Sequence, residues 1–288
     1  MSGRGGARRL LAPLLVLALL AGAAPTAARS AAAERDAPAG RHVARDGHVD
    51  VGPRLVDGRW ALQAHVDHDG RSAWHALDEL VLEVGTAART TLPADPAYRF
   101  LGRPGDRVWV LPQTQRPGVV WPGWNTQDPG VTARVRRPVT WTLHGVRGPD
   151  AAAARGFALF LNDGFGTPEV VFAGARPFPQ RSTVAVDTHV HGNWAFPRPG
   201  AYALDVEMSA VLRDGTRVAD RRLLRFAVGG ADPDAAFAVG GDHEGADDAG
   251  RAAAGTDAGV PILLGALLVL AVVVVATGLR LRRVRGQA

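Results

Sequence analysis

The amino-acid sequence predicts an all-β fold, an immunoglobulin-like β-sandwich ectodomain with one C-terminal transmembrane helix behind it. Three observations lead there. Between His48 and Val228 the apolar residues mostly alternate, the period of a strand with one buried face, rather than recurring every three or four positions. Gly, Pro and Asp punctuate these runs where turns are needed. Only residues 151–154 have a helical look, and they span a single turn.

The strand-like runs follow in order: WALQAHV (60–66), ELVLEV (79–84), RVWVLP (107–112), VTWTLHGV (139–146), FALFL (157–161) and EVVF (169–172). The last unit is the clearest. Residues 200–212 and 216–228 flank Asp214-Gly215, a strong signal for a tight hairpin. Tyr202, Leu204, Val206 and Met208 then share one face, opposite Leu224, Phe226 and Val228. A Pro-Gly-x-Tyr lead-in puts Tyr202 where immunoglobulin-like sandwiches carry a corner tyrosine. About ten to twelve such strands in roughly 180 residues argue for a sandwich.

The two ends place the domain. Residues 1–28 have the parts of a secretory signal: an Arg-bearing start, an apolar run at 10–20 and small residues before a cleavage point. Residues 29–46 read as a flexible N-terminal segment and 47–229 as the sandwich. Residues 230–259 are Gly, Ala and Asp with seven acids against Arg251, a composition expected to stay disordered as a stalk. Residues 260–279 carry no charge over twenty positions, enough to cross a membrane. The basic tail at 280–288 then belongs in the cytoplasm, leaving the domain at the cell surface on a single span.

Composition removes several functions. With no cysteine among 288 residues there are no disulfides, no iron–sulfur cluster, no thiolate zinc site and no cysteine nucleophile. Eight of the 33 Arg lie in the two ends, so the 25 between them face all 28 acids, a net charge of −3. The pI near 10.9 is therefore no sign of a nucleic-acid partner. The three Ser of the body (Ser72, Ser182, Ser209) form no nucleophile elbow, and there is neither a phosphate loop nor a dinucleotide fingerprint. The expectation is a binding module and no enzyme. LPQTQ (111–115) looks like a sortase signal, but Gln stands where Gly is needed and no apolar tail follows it.

Chemistry concentrates in the histidines. On an extended chain His189 and His191 point to one face and can both reach a single ion at about 2.0–2.1 Å. His48 and Asp50 repeat that spacing. If the two pairs lie on neighbouring strands, about 4.8 Å apart, they converge on a three-His, one-Asp set suited to zinc or manganese, held reversibly. The competing reading is a polar network that locks Asn193 and Trp194 into a turn. His65, His68 and His75 read as a solvated hairpin tip rather than a second site. Trp121 and Trp124, around a Pro-Gly turn, offer a platform for a glycan or a protein partner; the alternative is that both pack the end of the sandwich. Trp60, Trp109, Trp141 and Trp194 sit in apolar alternation and belong to the core.

Four stretches carry a family resemblance: GHVDVGPRLVDGRW (47–60), FLGRPGDRVWVLPQTQRPGVVWPGWNT (100–126), LHGVRGPD (143–150) and THVHGNWAFPRPGAYAL (188–204). In that order they resemble the domain of the choice-of-anchor M family of actinobacterial surface proteins. The most specific piece is H-x-H-x-N-W-x-F-x-x-P-G-x-Y, supplied here from His189 to Tyr202. The resemblance implies a surface domain held by one of several anchor types and associated with ABC transporters whose binding proteins resemble the zinc and manganese class. It thus implies a surface receptor that relays substrate to an importer. The alternative function is a structural or adhesive surface module working through its Trp-rich loop.

Overall fold

A computed structural model of the chain describes residues 35–240, Asp69 apart. These residues form sixteen strands in three sheets. The first sheet runs β1 (His42–Ala44), β5 (Leu80–Val84), β16 (Arg217–Val228), β15 (Gly200–Val211), β9 (Val139–Arg147), β12 (Gln180–Val184). The second runs β11 (Pro168–Ala173), β10 (Ala158–Asn162), β14 (Asn193–Phe196), β7 (Arg107–Leu111), β6 (Arg89–Thr91). The third runs β13 (His189–His191), β8 (Trp121–Asn125), β2 (His48–Val56), β3 (Arg59–His68), β4 (Arg71–Ala76). The all-β expectation holds. Helices are short: α1 (Pro129–Arg134), α2 (Ala151–Arg155) where one turn was expected, and α3 (Pro233–Ala238).

The β15–β16 hairpin forms as the alternation predicts, with Gly200 opposite Val228 and Val211 opposite Arg217. Gly215 takes φ +92° in the turn, a conformation that costs glycine nothing. Asp214 Oδ1 accepts from the Thr216 N–H at 2.8 Å. Tyr202, Leu204, Val206, Met208, Leu224, Phe226 and Val228 are all buried. The Tyr202 hydroxyl donates to the Arg198 carbonyl at 2.8 Å, tying the corner to the strand it begins.

One core joins the sheets, and Trp141 lies at its centre. Its ring on β9 meets Trp124 of β8 at 5.1 Å, Phe172 of β11 at 5.0 Å and Trp194 of β14 at 6.1 Å. Each sheet therefore contributes aromatic area to the same cluster, and no sheet buries its apolar face alone.

The folded unit is wider than expected at both ends. β1 pairs in parallel with β5, and Asp36 bridges to Trp74, so structure begins before Gly47. Past Gly229, α3 is capped by Asp232, which accepts from the Asp234 N–H, and it seats Ala236 and Phe237 against Val81 and Ala227. The Arg41 guanidinium lies over the Phe237 ring at 4.8 Å. A few apolar residues in a polar stretch suffice here because the outer face of the first sheet offers them a surface. Among the described residues no helix is long and apolar enough to cross a membrane. The expected leader (1–28), the stalk beyond 240, the span (260–279) and the tail (280–288) lie outside the described residues.

Candidate metal centre

β2 alternates as its sequence demands: Val49 and Val51 are fully buried in the core, so His48 and Asp50 face the other side of the third sheet. His189 and His191 flank Val190 in the same way on β13. The strand between them, β8, sets the register. Trp121 lies beside His48, Gly123 beside both Asp50 and His191, and Asn125 beside His189. Laterally paired residues share a face, so all these side chains meet above Gly123.

Here the structure corrects the expectation of two neighbouring strands. The His/Asp pairs stand on strands separated by β8, roughly 10 Å apart at two strand spacings. Imidazoles are long enough to close that gap only if nothing rises between them. A Cβ on residue 123 would lie 2.6 Å from the Val190 carbonyl oxygen, 2.8 Å from His191 Cε1 and 2.9 Å from Asp50 Oδ1. Glycine at 123 is therefore what lets the two pairs touch.

The three Nε2 atoms form a triangle. His48 to His189 is 3.2 Å, His48 to His191 is 3.1 Å and His189 to His191 is 3.0 Å. A tetrahedral ion with ligands at about 2.0–2.1 Å has nitrogen–nitrogen edges of about 3.3 Å. Asp50 completes the set: Oδ2 is 3.0 Å from His189 Nε2, while Oδ1 is 3.3 Å from His48 Nε2 and 3.6 Å from His191 Nε2. One ligand atom from each residue lies within 4.8 Å of every other, a grouping that can hold a metal ion.

A hydrogen-bonded network does not explain this triangle. Each Nε2 carries either a proton or a lone pair, so among three mutually close nitrogens at least one pair must be alike and repel. A cation accepts all three lone pairs together. Nor do the histidines lock the turn after them. Asn193 is held by Gln113, whose N–H donates to its Oδ1 at 2.9 Å, and the Trp194 indole donates to the Pro122 carbonyl at 3.1 Å.

Electrostatics agree with a ligand set. The Asp50 side chain is only 2% exposed, and its Oδ1 faces His48 Nε2 at 3.3 Å. Burial resists its charge, yet the His48 hydrogen bond and charge, the Asn125 amide (Nδ2 to Oδ2, 3.1 Å) and His189 hold its pKa below the ordinary value. Burial pushes His191 down to about 4 against the pull of Asp50, with His48 and His189 adding to the fall, so this imidazole is neutral at pH 7. Burial also opposes charging of His48, but the Asp50 and Asp67 carboxylates outweigh it and raise its pKa.

The supporting shell was not anticipated. His48 Nδ1 lies 2.9 Å from Asp67 Oδ2, and the Ser72 hydroxyl donates to the other Asp67 oxygen. A carboxylate on Nδ1 fixes the tautomer that turns the Nε2 lone pair inward, as metal-bound histidines require. The sequence did hold a signal for Asp67. Asp57-Gly58 is a second hairpin turn, with φ of 49° and 77°, and its register puts Asp67 opposite His48. Gly123 and Asn125 had no comparable signal.

The tryptophans divide. Trp124 is buried against Trp141, so the expected two-indole platform is not formed. Trp121 stacks face to face on His191, with centroids 3.6 Å apart and planes at 10°, and its indole N–H donates to the Gln113 carbonyl at 3.0 Å. The pair fails as a platform because alternation sends residues three apart to opposite faces of β8. His65 and His75 are not a solvated tip either: His65 Nδ1 is 3.6 Å from Asp67 Oδ1, and His75 stacks on His42 at 4.4 Å.

Fold and site together define an all-β domain with a three-imidazole, one-carboxylate constellation on the outer face of one sheet. Comparison of the chain with family models, with curated proteins and with solved structures finds no match.

Proposed function

We propose that the chain is a membrane-anchored extracellular binding module that captures a divalent metal ion, zinc or manganese, at His48, Asp50, His189 and His191. It would pass the ion, free or as a complex, to the binding protein of an ABC importer. The observation that carries the metal reading is the Nε2 triangle beside a buried carboxylate, an arrangement that protons alone leave frustrated. Imidazole-rich sites favour zinc, with manganese at the weak end of the divalent series. The extracellular placement rests on the leader, the uncharged run at 260–279 and the basic tail. The relay rests on the resemblance to choice-of-anchor M domains. The Tyr202 corner supports reading the domain as immunoglobulin-like.

The test is a thermal melt of the full chain in detergent, stripped with chelator and then titrated with zinc or manganese chloride. An ion bound only by the folded state stabilises it, by about 2.7 kcal/mol at a concentration 100 times Kd. We expect the melting temperature to rise with zinc at lower concentration than with manganese. Changing His189 and His191 together to Ala should remove the rise and leave the metal-free melt intact. An equal rise in the double variant would defeat the proposal.

A further inference from the structure

We infer that His189 is the ligand through which the ion enters and leaves, and that the acceptor is a molecule offering an imidazole or carboxylate of its own to take the place of His189. This rests on the metal-binding reading above. The four ligands are graded in exposure: the side chains of Asp50, His191, His48 and His189 are 2%, 8%, 19% and 35% accessible. Three are backed from behind. Trp121 lies flat on His191, Asp67 holds His48, and the Asn125 amide holds Asp50.

His189 is placed differently. It opens the three-residue strand β13, at the edge of its sheet, where only β8 pairs with it. Two residues earlier, Asp187 turns the chain with φ +63°. An incoming donor approaches the ion most readily where solvent reaches it most, and that is the His189 side. The exchange is a ligand substitution. A bond forms between the ion and the acceptor's deprotonated nitrogen or oxygen, the bond to His189 Nε2 breaks, and any proton shed by the acceptor goes to water. Nothing is oxidised or reduced. Because the incoming donor takes part, transfer should be faster at higher acceptor concentration.

The experiment uses the zinc-loaded full chain in detergent and the coloured chelator 4-(2-pyridylazo)resorcinol as acceptor, after equilibrium dialysis has measured zinc bound to the wild type. Transfer should accelerate in proportion to chelator. His189→Ala should bind zinc at least about tenfold more weakly, and added imidazole should restore binding by filling an accessible position. His191→Ala should stay unrestored, because Trp121 covers the gap. His189→Gln, which keeps a polar side chain at the edge, and the metal-free melts of all variants separate loss of ligand from loss of fold. A transfer rate independent of chelator would overturn the inference, as would imidazole rescue of His191→Ala but not of His189→Ala. A wild type that dialyses free of zinc would fail the metal reading itself, and this inference with it.

Discussion

At the scale of single residues, the site depends on one hydrogen atom. Gly123 carries no side chain where any side chain would sit among Val190, His191 and Asp50. Gly123→Ala should therefore separate the ligands without removing one. We expect it to abolish the zinc-induced rise in melting temperature and to cost about 1–3 kcal/mol, the usual range for overpacking, measured in urea. A second residue-scale expectation concerns acid. Burial, with the neighbouring His42 charge, pushes His75 down to about 4 from 6.5. The unfolded chain thus takes up the proton first. The contribution of His75 is complete above pH 6.5 and is lost as pH falls from there through about 4. Melts of the metal-free protein across that window should show the loss, and His75→Phe, which keeps a ring against His42, should lessen it, leaving the share that His191 contributes over the same window. An unchanged acid limb would refute the assignment. His48, with its raised pKa, works in the opposite sense: its contribution is full below 6.5 and fades as pH rises through its folded value.

At the scale of elements, the Asp67 carboxylate behind His48 is delivered by a turn. Asp57-Gly58 has positive φ at both positions, so it pairs β2 with β3 in the register that sets His48 against Asp67 and Asp50 against His65. A slip of one residue would send every one of those side chains to the core face. Gly58→Val puts a β-branched residue at φ +77° and should cost at least about 1–2 kcal/mol, the left-handed penalty for an ordinary residue. Zinc affinity should fall with it, since His48 loses its backing carboxylate; isothermal titration of the variant checks this. Affinity unchanged despite lower stability would show that β2 is held in register by β8 alone.

For the molecule as a whole, the site is the product of two sheets that share one core. The chain leaves β13 at His191, passes Gly192 and enters β14 in the middle of the second sheet, where Trp194 is buried beside Trp141. A Cβ at 192 would lie 2.9 Å from Leu159 Cδ1 and 3.1 Å from Trp124 Cζ3, so the crossing is tight. The position of His191 is thereby tied to the core, whereas His189 is tied only to an edge. That difference follows from how the chain is routed through the sheets, and it underlies the graded exposure of the ligands.

Much of this was legible in the sequence, for a definite reason. Alternation is a local property with a period of two, so it announced an all-β chain, the β15–β16 hairpin, and the fact that His48 with Asp50, and His189 with His191, each share a face. It also held the Asp57-Gly58 signal for Asp67. The choice of neighbours is another matter. β8 lies between β2 and β13, parallel to one and antiparallel to the other, although it is about 70 residues from each. Nothing within a strand encodes which distant strand will lie beside it. That was decided by packing: Trp124 had to reach Trp141 on one face of β8, which left Gly123 and Trp121 on the other, under and beside the ligands. The residues able to hold a metal could be read from spacing, while their meeting above a glycine came from the shared core alone, because side chains brought together from strands 140 residues apart are placed by burial and not by sequence distance.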